Sequence, residues 1–489
     1  RKIVQQCGIR LHDTMPDQRA LKNPYPDYNG PESAQYMFDS QGKLTAAFAS
    51  RVSDKISELL ALMEHGLKKA DPRDCTGYTG WTGIAMLYLH LHAIYGEPSY
   101  LQRALEHVSR SLNSLTQRWV TFLCGDAGPL AVAAVVYHRM HRVQEAEECI
   151  SRLLQLHKSV VKGSGSLPDE LLYGRVGYLS ALIFLNQQFQ QEKIPAQYIQ
   201  QICDAVLVSG QTLAQRMRVE EQTPLMYEWY QEQYVGAAHG LSGIYYFLMQ
   251  PGFVSDEGRV LSLVKPSIDY VCRLRFPSGN YPPCVGDARD LLVHWCHGSP
   301  GVIYMLLQAY RVFGVQQYLE DAVHCGEVIW QRGLLKKGYG LCHGAAGNAY
   351  AFLALHKVTR DPRHLYRACM EWLGPFTSLL TCCSRWQPSS QPLRCKGILP
   401  RHSRAQADRL RPVLKWQGWA AGERNSSLAA HVLQAMADNC SAAPHVLQSV
   451  SLYAPALSRC HRHKQSTWLM LSVLAGIVCI EALVALLFN

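Results

Sequence analysis

The chain of 489 residues contains little charge. Asp, Glu, Lys and Arg make up only 18% of it, against 48% apolar residues, so it can bury a sizeable core and is not a largely disordered chain. The formal net charge is +10, but residues 370–489 hold 12 Lys and Arg against 5 Asp and Glu, so the rest of the chain is nearly neutral. A neutral body lacks the basic surface typical of nucleic-acid binding, and we expect no nucleic-acid partner.

The 17 cysteines lack the spacing of a disulfide framework. A secretory signal peptide is also missing, because Arg1–Pro24 contains no apolar core segment. We therefore expect a reducing, cytoplasmic compartment in which the thiols stay free. Met15 is a more natural start than Arg1, and residues 1–14 are interpreted as an extension outside the structural core.

Alternating β-branched and polar residues and tight hairpin turns are scarce, which argues against a β-sheet protein. Instead, a Gly-x-x-Gly step followed by an apolar run recurs six times. The runs, such as 84–89 and 302–307, are apolar nearly all round, as in helices buried on every side. The glycine pairs are Gly80 and Gly83, Gly125 and Gly128, Gly174 and Gly177, Gly240 and Gly243, Gly298 and Gly301, and Gly344 and Gly347.

Amphipathic stretches lie between the apolar runs, and one of them, 49–69, has apolar residues at helical spacing with charge elsewhere. Each repeat therefore predicts an outer amphipathic helix, a loop, a glycine step and an inner buried helix, so the expected fold class is all-α. Such helix pairs could stack in an open solenoid or close into a ring. The steps favour an α/α toroid whose six loops meet at one central site; the alternative is that Gly-x-x-Gly merely lets helices pack closely.

Two of the steps carry a Cys-His pair, 46 residues apart. Thiolate and imidazole are zinc ligands, and three protein ligands with an open fourth position are typical of a catalytic zinc ion. Cys296, Cys342 and His343 are therefore the predicted metal ligands, and a substrate thiol entering the fourth position would bind as a thiolate. The alternative is a pair of buried structural cysteines with hydrogen-bonded histidines.

Other polar residues beside the steps are candidates for acid–base chemistry or substrate binding. His297 follows the first ligand and is a candidate for proton handling. His239 opens the fourth step without a neighbouring cysteine, and the usual pKa range of histidine suits a general acid or base. Asp126 could orient a histidine or hold a substrate amine, while Arg175 and Lys337 are candidates for cationic contacts. Taken singly, each is as readily a hydrogen-bonded loop residue.

Several motifs together resemble the lanthionine synthetase C-like (LanC-like) family: Trp-Cys-His-Gly at 295–298, Gly-Leu-Cys-His-Gly at 340–344, Ala-His-Gly at 238–240 and Cys-Gly-Asp-Ala-Gly at 124–128. Asn-Pro-Tyr at 23–25 and Tyr-Thr-Gly-Trp at 78–81 resemble the vertebrate members. The resemblance extends over about residues 15–370. It implies an α/α toroid of seven inner and seven outer helices.

The resemblance also implies a chemistry. Bacterial members close thioether rings by adding a cysteine thiolate to a dehydroamino acid. Vertebrate members bind zinc and glutathione, and add glutathione to electrophiles that include dehydroamino-acid residues in proteins. The cofactor expected from this resemblance is Zn²⁺, with glutathione as co-substrate and peptides or proteins carrying dehydroamino acids as partners.

Individual roles follow from the same resemblance. The three predicted ligands match the zinc ligands of the family, and His239 and Asp126 match residues that handle the proton at the α-carbon of the adduct. His297 occupies a position where bacterial cyclases have another polar residue. Arg19 and Lys337 match positions associated with glutathione. The seventh glycine repeat and the C-terminal ending of the family are absent, which would leave a gap of one helix pair in the ring.

The chain beyond the repeats has a different character. Residues 371–466 are interpreted as a divergent linker of low order. Residues 467–488 form a 22-residue apolar run, interrupted by Ser472 and Glu481, that is long enough to span a bilayer. A basic segment at 461–464 precedes it and favours the cytosolic side. We expect a transmembrane segment here, which would attach a cytoplasmic protein to a membrane; the alternative is an altered reading of the 3′ end of the gene.

Three functions are compatible with these observations. The leading hypothesis is a zinc-dependent transferase that activates the glutathione thiol for addition to electrophiles such as dehydroamino-acid residues. The second is a non-catalytic zinc- and glutathione-binding adaptor at membranes or SH3 domains. The third is a glycoside hydrolase, since such enzymes also use α/α toroids. It ranks last because hydrolysis needs two facing carboxylates and the steps offer only Asp126.

Overall fold

The computed structural model describes residues 19–68, 70–163, 167–250 and 257–371. Within these ranges the regular elements are helices, and β-pairing is limited to isolated bridges. The predicted all-α class is therefore confirmed. The extension at 1–14, nearly all of the linker at 371–466 and the apolar run at 467–488 lie outside the described residues. No helix in the described part of the chain is both long and apolar enough to cross a membrane.

Fourteen α-helices precede a last helical stretch at 362–371. They are α1 (Ala46–Leu67), α2 (Trp81–Tyr95), α3 (Pro98–Leu112), α4 (Ala127–Arg139), α5 (Val143–Gln155), α6 (His157–Lys162), α7 (Arg175–Phe189), α8 (Ala196–Met217), α9 (Leu241–Leu248), α10 (Glu257–Arg259), α11 (Lys265–Arg273), α12 (Ser299–Phe313), α13 (Gln316–Arg332) and α14 (Ala345–Thr359). A π-helical turn, Val260–Val264, joins α10 to α11.

The helices form an inner and an outer layer. The inner helices α2, α4, α7, α9, α12 and α14 each begin directly after a glycine step, and each packs against the next inner helix along the chain. In α4 every residue from Ala127 to Val136 is buried, as the apolar run predicts. The amphipathic helices α3, α5, α8, α11 and α13 cover this layer from outside. The predicted pairing of inner and outer helices in an α/α toroid is confirmed, with six inner helices in the described residues.

The close approach of backbone segments in each loop requires glycine at both positions of the step. In all six steps, each glycine faces the carbonyl group of the residue six positions earlier. A Cβ atom at Gly301 would overlap the carbonyl oxygen of Trp295, and one at Gly347 would overlap that of Leu341. These contacts fold each loop back over the N terminus of its inner helix, and only glycine leaves room for them.

Neighbouring loops are joined by backbone hydrogen bonds at this end of the inner layer. Tyr78 N donates to Leu123 O at 2.9 Å, which joins the first loop to the second. Phe122 N donates to Gly177 O at 2.9 Å, and Cys296 N donates to Cys342 O at 3.3 Å. The loops therefore gather on one face of the toroid, above the N termini of the inner helices.

The segment at 19–45 ties the end of the described chain to its beginning. Leu21 N donates to Leu334 O at 2.7 Å beside α13. Arg367, which is 1% exposed, pairs with Asp27 at 2.6 Å and with Glu327 at 2.8 Å. The guanidinium of Arg367 lowers the pKa of Asp27. Since this segment leads directly into α1, it links α13 and the last helical stretch to the first helix of the chain.

Two glycines of the sixth loop, one inside the step and one before it, test whether the step requires glycine. We predict that Gly347→Ala destabilises the protein and lowers its thermal midpoint by on the order of 5–10 °C, because the new Cβ meets the carbonyl of Leu341. Gly340→Ala is the matched control, since a Cβ there would have no neighbour within 4 Å. Differential scanning calorimetry of both variants measures the effect, and equal midpoints would show that the contact is not limiting.

Candidate functional site

The six loops supply equivalent positions to one cluster. The residues two positions before the first glycine of each step pack together at the centre of the loop face. They are Tyr78, Leu123, Leu172, Ala238, Cys296 and Cys342. Tyr78 of the first loop also shares a hydrogen bond with Cys342 of the sixth, so the first and last described repeats meet here. The residues of this cluster are called the central layer below.

The residues one position before the first glycine surround the central layer. They include Cys124, Tyr173, His239, His297 and His343. Tyr173 shares a hydrogen bond with Cys124 and its ring stacks on that of His239, with centroids 6.2 Å apart. The ring of His239 lies 6.4 Å from that of His297. The repeat thus places three histidines around two cysteines of the central layer.

Cys296, Cys342 and His343 come together as the sequence predicts. One ligand atom from each lies within 4.8 Å of the other two. Cys296 is 9% and His343 is 7% exposed. Two sulfurs and an imidazole are a donor set that suits zinc, and this spacing is compatible with one ion and a fourth position for an incoming ligand. Among the described residues, no other group of three metal-ligating side chains lies this close together.

The electrostatics of the two cysteines are coupled. A hydrogen bond shared with Cys296, supported by His343 and Tyr78, holds the pKa of Cys342 well below its usual range. The same hydrogen bond, together with burial, raises the pKa of Cys296. His294 Nδ1 lies 4.0 Å from Cys296 Sγ, and burial lowers the pKa of His294. Cys342 is therefore the more readily ionised of the two sulfurs.

His239 is held by a carboxylate that sequence reasoning missed. Glu170 Oε2 lies 2.7 Å from His239 Nδ1, and Glu170 is 2% exposed. The carboxylate also accepts hydrogen bonds from Leu172 N at 2.9 Å and Tyr173 N at 2.5 Å. Because an ionised carboxylate only accepts, Nδ1 carries the hydrogen and Nε2 is left for other contacts.

Aromatic rings fix the imidazole of His239 from its other sides. The Trp229 centroid lies 4.5 Å and the Tyr234 centroid 5.7 Å from that of His239. Trp229 stands in a hairpin turn, in which Trp229 and Glu232 exchange backbone hydrogen bonds of 3.0 and 3.1 Å. Both central residues of the turn, Tyr230 and Gln231, have positive φ, at 52° and 64°. This backbone is strained for residues other than glycine, and such strain is concentrated at functional sites.

His297 lies between the predicted metal ligands and His239. Its ring is 5.9 Å from that of Tyr234, and its Nδ1 is buried without a hydrogen-bond partner among the described residues. Burial lowers the pKa of His297 to about 3. The side chain is thus neutral near pH 7, and it adjoins both the predicted metal ligands and His239.

Arg19 and Lys337 lie on the same side of the cluster. Lys336 N donates to Arg19 O at 2.9 Å, which pairs the N-terminal segment with the loop before the sixth step. Both positive charges reach the buried His294 and add to the effect of burial on its pKa. The structure therefore brings together two cations that are distant in sequence, near the predicted metal ligands.

Two other candidates have contacts within the scaffold. The carboxylate of Asp126 accepts hydrogen bonds from Thr116 N at 3.0 Å and Gln117 N at 2.7 Å, which fixes the loop before α4. Arg175 pairs with Asp169 at 2.7 Å and donates to Val160 O at 3.1 Å. The carboxylate that contacts His239 is Glu170, so a role for Asp126 in proton handling stays a prediction.

Comparison with known proteins agrees with the motifs. A family model described as lanthionine synthetase C-like protein matches residues 71–379. A zebrafish (Danio rerio) protein named Glutathione S-transferase LANCL1 is 76% identical over 356 residues, which cover 73% of this chain and 88% of that protein.

The chain belongs to the lanthionine synthetase C-like family. Among solved structures, one titled Nisin cyclase is 15% identical, with a TM-score of 0.48 over 70% of this chain and 88% of that chain. The family match covers all six glycine steps and every predicted site residue except Arg19.

Residues that sequence reasoning missed include Glu170, His294, Tyr78 and Trp229. An alignment of the six loops on their first glycines would have found Tyr78, because Tyr78 occupies the position that Cys296 and Cys342 occupy in their own loops. No comparable signal exists for Glu170, which lies four positions before Gly174 and meets His239 from another loop.

We predict that Cys296 and Cys342 are needed for metal binding and that the nearby Cys124 is not. Wild-type protein should contain about one zinc ion per chain, because the described residues hold one such three-residue donor group. Cys296→Ser and Cys342→Ser should lose most of the metal, whereas Cys124→Ser is a matched control in the same cluster. Metal analysis by inductively coupled plasma mass spectrometry checks this, and full zinc in either ligand variant would contradict the assignment.

Proposed function

We propose that this protein is a zinc-dependent glutathione transferase that forms thioethers by adding the glutathione thiol to electrophiles such as dehydroamino-acid residues. The observation that carries the proposal is the juxtaposition of two elements on one loop face. One is the donor group of Cys296, Cys342 and His343, and the other is the His239–Glu170 pair. The name of the 76% identical zebrafish relative supports a glutathione transferase.

The donor group fits a catalytic metal. A zinc ion held by two thiolates and one imidazole would be neutral overall, and it would lower the pKa of an incoming thiol enough for the thiolate to form at neutral pH. Tyr78 donates its hydroxyl hydrogen toward Cys342 and thereby orients that sulfur. The apolar neighbours Leu172 and Ala238 limit the access of water to the sulfur atoms.

His239 is suited to supply the proton that completes the addition. When a thiolate adds to the β-carbon of a dehydroamino acid, negative charge develops toward the α-carbon and its carbonyl group. The protonated imidazole of His239 would donate the hydrogen on Nε2 to the α-carbon, while Glu170 holds Nδ1–H and stabilises the cation. The Trp229 ring, whose centroid lies 4.5 Å from that of His239, packs against the imidazole and helps to hold it in place.

Lys337 and Arg19 are suited to bind the charged ends of glutathione. Glutathione carries two carboxylates, and both cations lie on the side of the cluster that also holds His294. The N-terminal segment brings Arg19 to this side through its backbone contact with Lys336. Contacts of this kind would hold the tripeptide with its thiol toward the donor group.

A neighbouring pair of lysines tests the glutathione contact. Lys337→Gln should weaken glutathione binding roughly three- to tenfold, because it removes one exposed charge contact. Lys336→Gln is the matched control: its neighbouring side chain is equally exposed, and its structural contact is made by the backbone amide. Isothermal titration of zinc-loaded protein with glutathione measures both. Equal weakening in the two variants would indicate a general charge effect and argue against a specific contact.

The proton-transfer pair is tested by two substitutions. His239→Asn should lower kcat for a dehydroalanine peptide by about 10²–10⁴-fold while zinc content and glutathione affinity persist. Glu170→Gln should also lower kcat, on the order of 10²-fold, because the amide favours the wrong tautomer of His239, but KM should change little. Steady-state kinetics on metal-verified samples distinguish the cases. Wild-type rates in His239→Asn would assign the proton to another group.

A further inference from the structure

An apolar cavity of about 180 Å³ lies between α9 and α12, against the loop that precedes α7. Its wall includes Leu171, Ala237 and Trp295, which are the residues three positions before the first glycine of the third, fourth and fifth steps. Tyr246 and Tyr304, three positions after the second glycine of their steps, face them from α9 and α12. Equivalent positions of successive repeats therefore line the cavity, which lies next to the glycine steps.

The cavity shares its wall with the reaction centre. Trp295 precedes Cys296 in the chain, and both belong to one apolar cluster. Leu171 follows Glu170, and Ala237 stands two residues before His239. The backbones also touch: a Cβ at Gly236 would overlap the carbonyl oxygen of Cys296. A molecule that reacts between the predicted metal ligands and His239 therefore lies next to this cavity.

The lining excludes glutathione as the occupant. Among the described residues, no charged side chain lines the cavity, and the hydroxyl of Ser242 already donates to Val235 O at 2.6 Å. Two carboxylates and an ammonium group would be buried there without charged partners, at a large free-energy cost. An apolar cavity of about 150 Å³ is known to hold benzene, so this one accepts a phenyl ring or a short branched alkyl group.

We propose that this cavity binds an apolar substituent of the electrophile and so selects for electrophiles that carry a benzene-sized or short alkyl group. The inference rests on the proposed function and names the substrate class of the same site. The reaction is an addition: the thiol gives up its proton, the carbon–sulfur bond forms at the β-carbon as the carbon–carbon π bond breaks, and the α-carbon gains one proton. The substituent in the cavity takes no part in this step and holds the two carbons between sulfur and His239.

Two electrophiles that differ in one group test the selection. They are N-acetyl-dehydroalanine amides with a benzyl or a methyl group on the amide nitrogen. With zinc-loaded full-length protein and saturating glutathione, kcat/KM should be on the order of ten- to a hundredfold higher for the benzyl amide. Phe247→Trp, which fills the cavity, should bring this ratio toward one. Phe313→Leu, at the far end of α12, is the control and should keep the wild-type ratio.

A second readout does not depend on turnover. Benzene should bind saturably and raise the thermal midpoint of wild-type protein and of Phe313→Leu, but not that of Phe247→Trp. Any of three results overturns the proposal. The kcat/KM ratio of the two amides is near one in wild-type protein, Phe247→Trp leaves that ratio unchanged, or benzene does not bind. If wild-type protein converts neither amide, the proposed function has failed. The benzene titration alone then decides whether the cavity binds apolar groups.

Discussion

The contact between each step glycine and the carbonyl group six residues earlier is the constraint on which the rest of the structure depends. It fixes the path of every loop relative to the inner helix that follows. Equivalent positions of the six loops therefore lie at the same level of the loop face. The residues two positions before the first glycine form the central layer, and those one position before it surround that layer. A change in any loop backbone would shift its side chains out of this register.

Because the loop backbones are equivalent, the chemistry of the site depends on which side chain occupies each equivalent position. The central layer holds sulfur in the fifth and sixth loops, a phenol in the first, and apolar groups in the other three. Sulfur atoms from adjacent loops can share a metal because the loops are joined by the Cys296 N to Cys342 O hydrogen bond. The next position outward holds histidine in three consecutive loops, which gives His239, His297 and His343 separate surroundings within one site.

The fold and the cluster of Cys296, Cys342 and His343 could be predicted from the sequence because the underlying pattern repeats. The glycine steps recur at readable spacing, and Cys296 and Cys342 stand at the same position of their steps. Glu170 could not be found in this way, since its partner His239 lies 69 residues away in another loop. Asp126 shows the converse: its place in a step suggests chemistry, but its carboxylate is engaged by two backbone amides of its own loop. Local pattern does not tell these two carboxylates apart; tertiary contacts do.

For the proposed addition, the polarity of the site would give the two reactants different places. Arg19 of the N-terminal segment and Lys337 of the sixth loop act on His294, whereas the apolar cavity is lined by residues of the third to fifth repeats and by no charged side chain of the described residues. A charged tripeptide would be stabilised beside the two cations and destabilised in the cavity, since burial of unpaired charge is unfavourable. An apolar group has the opposite preference, because its transfer out of water is favourable. In the proposed reaction the two reactants would therefore not compete for one place, and the sulfur of one and the carbon of the other would meet at the central layer, beside His239.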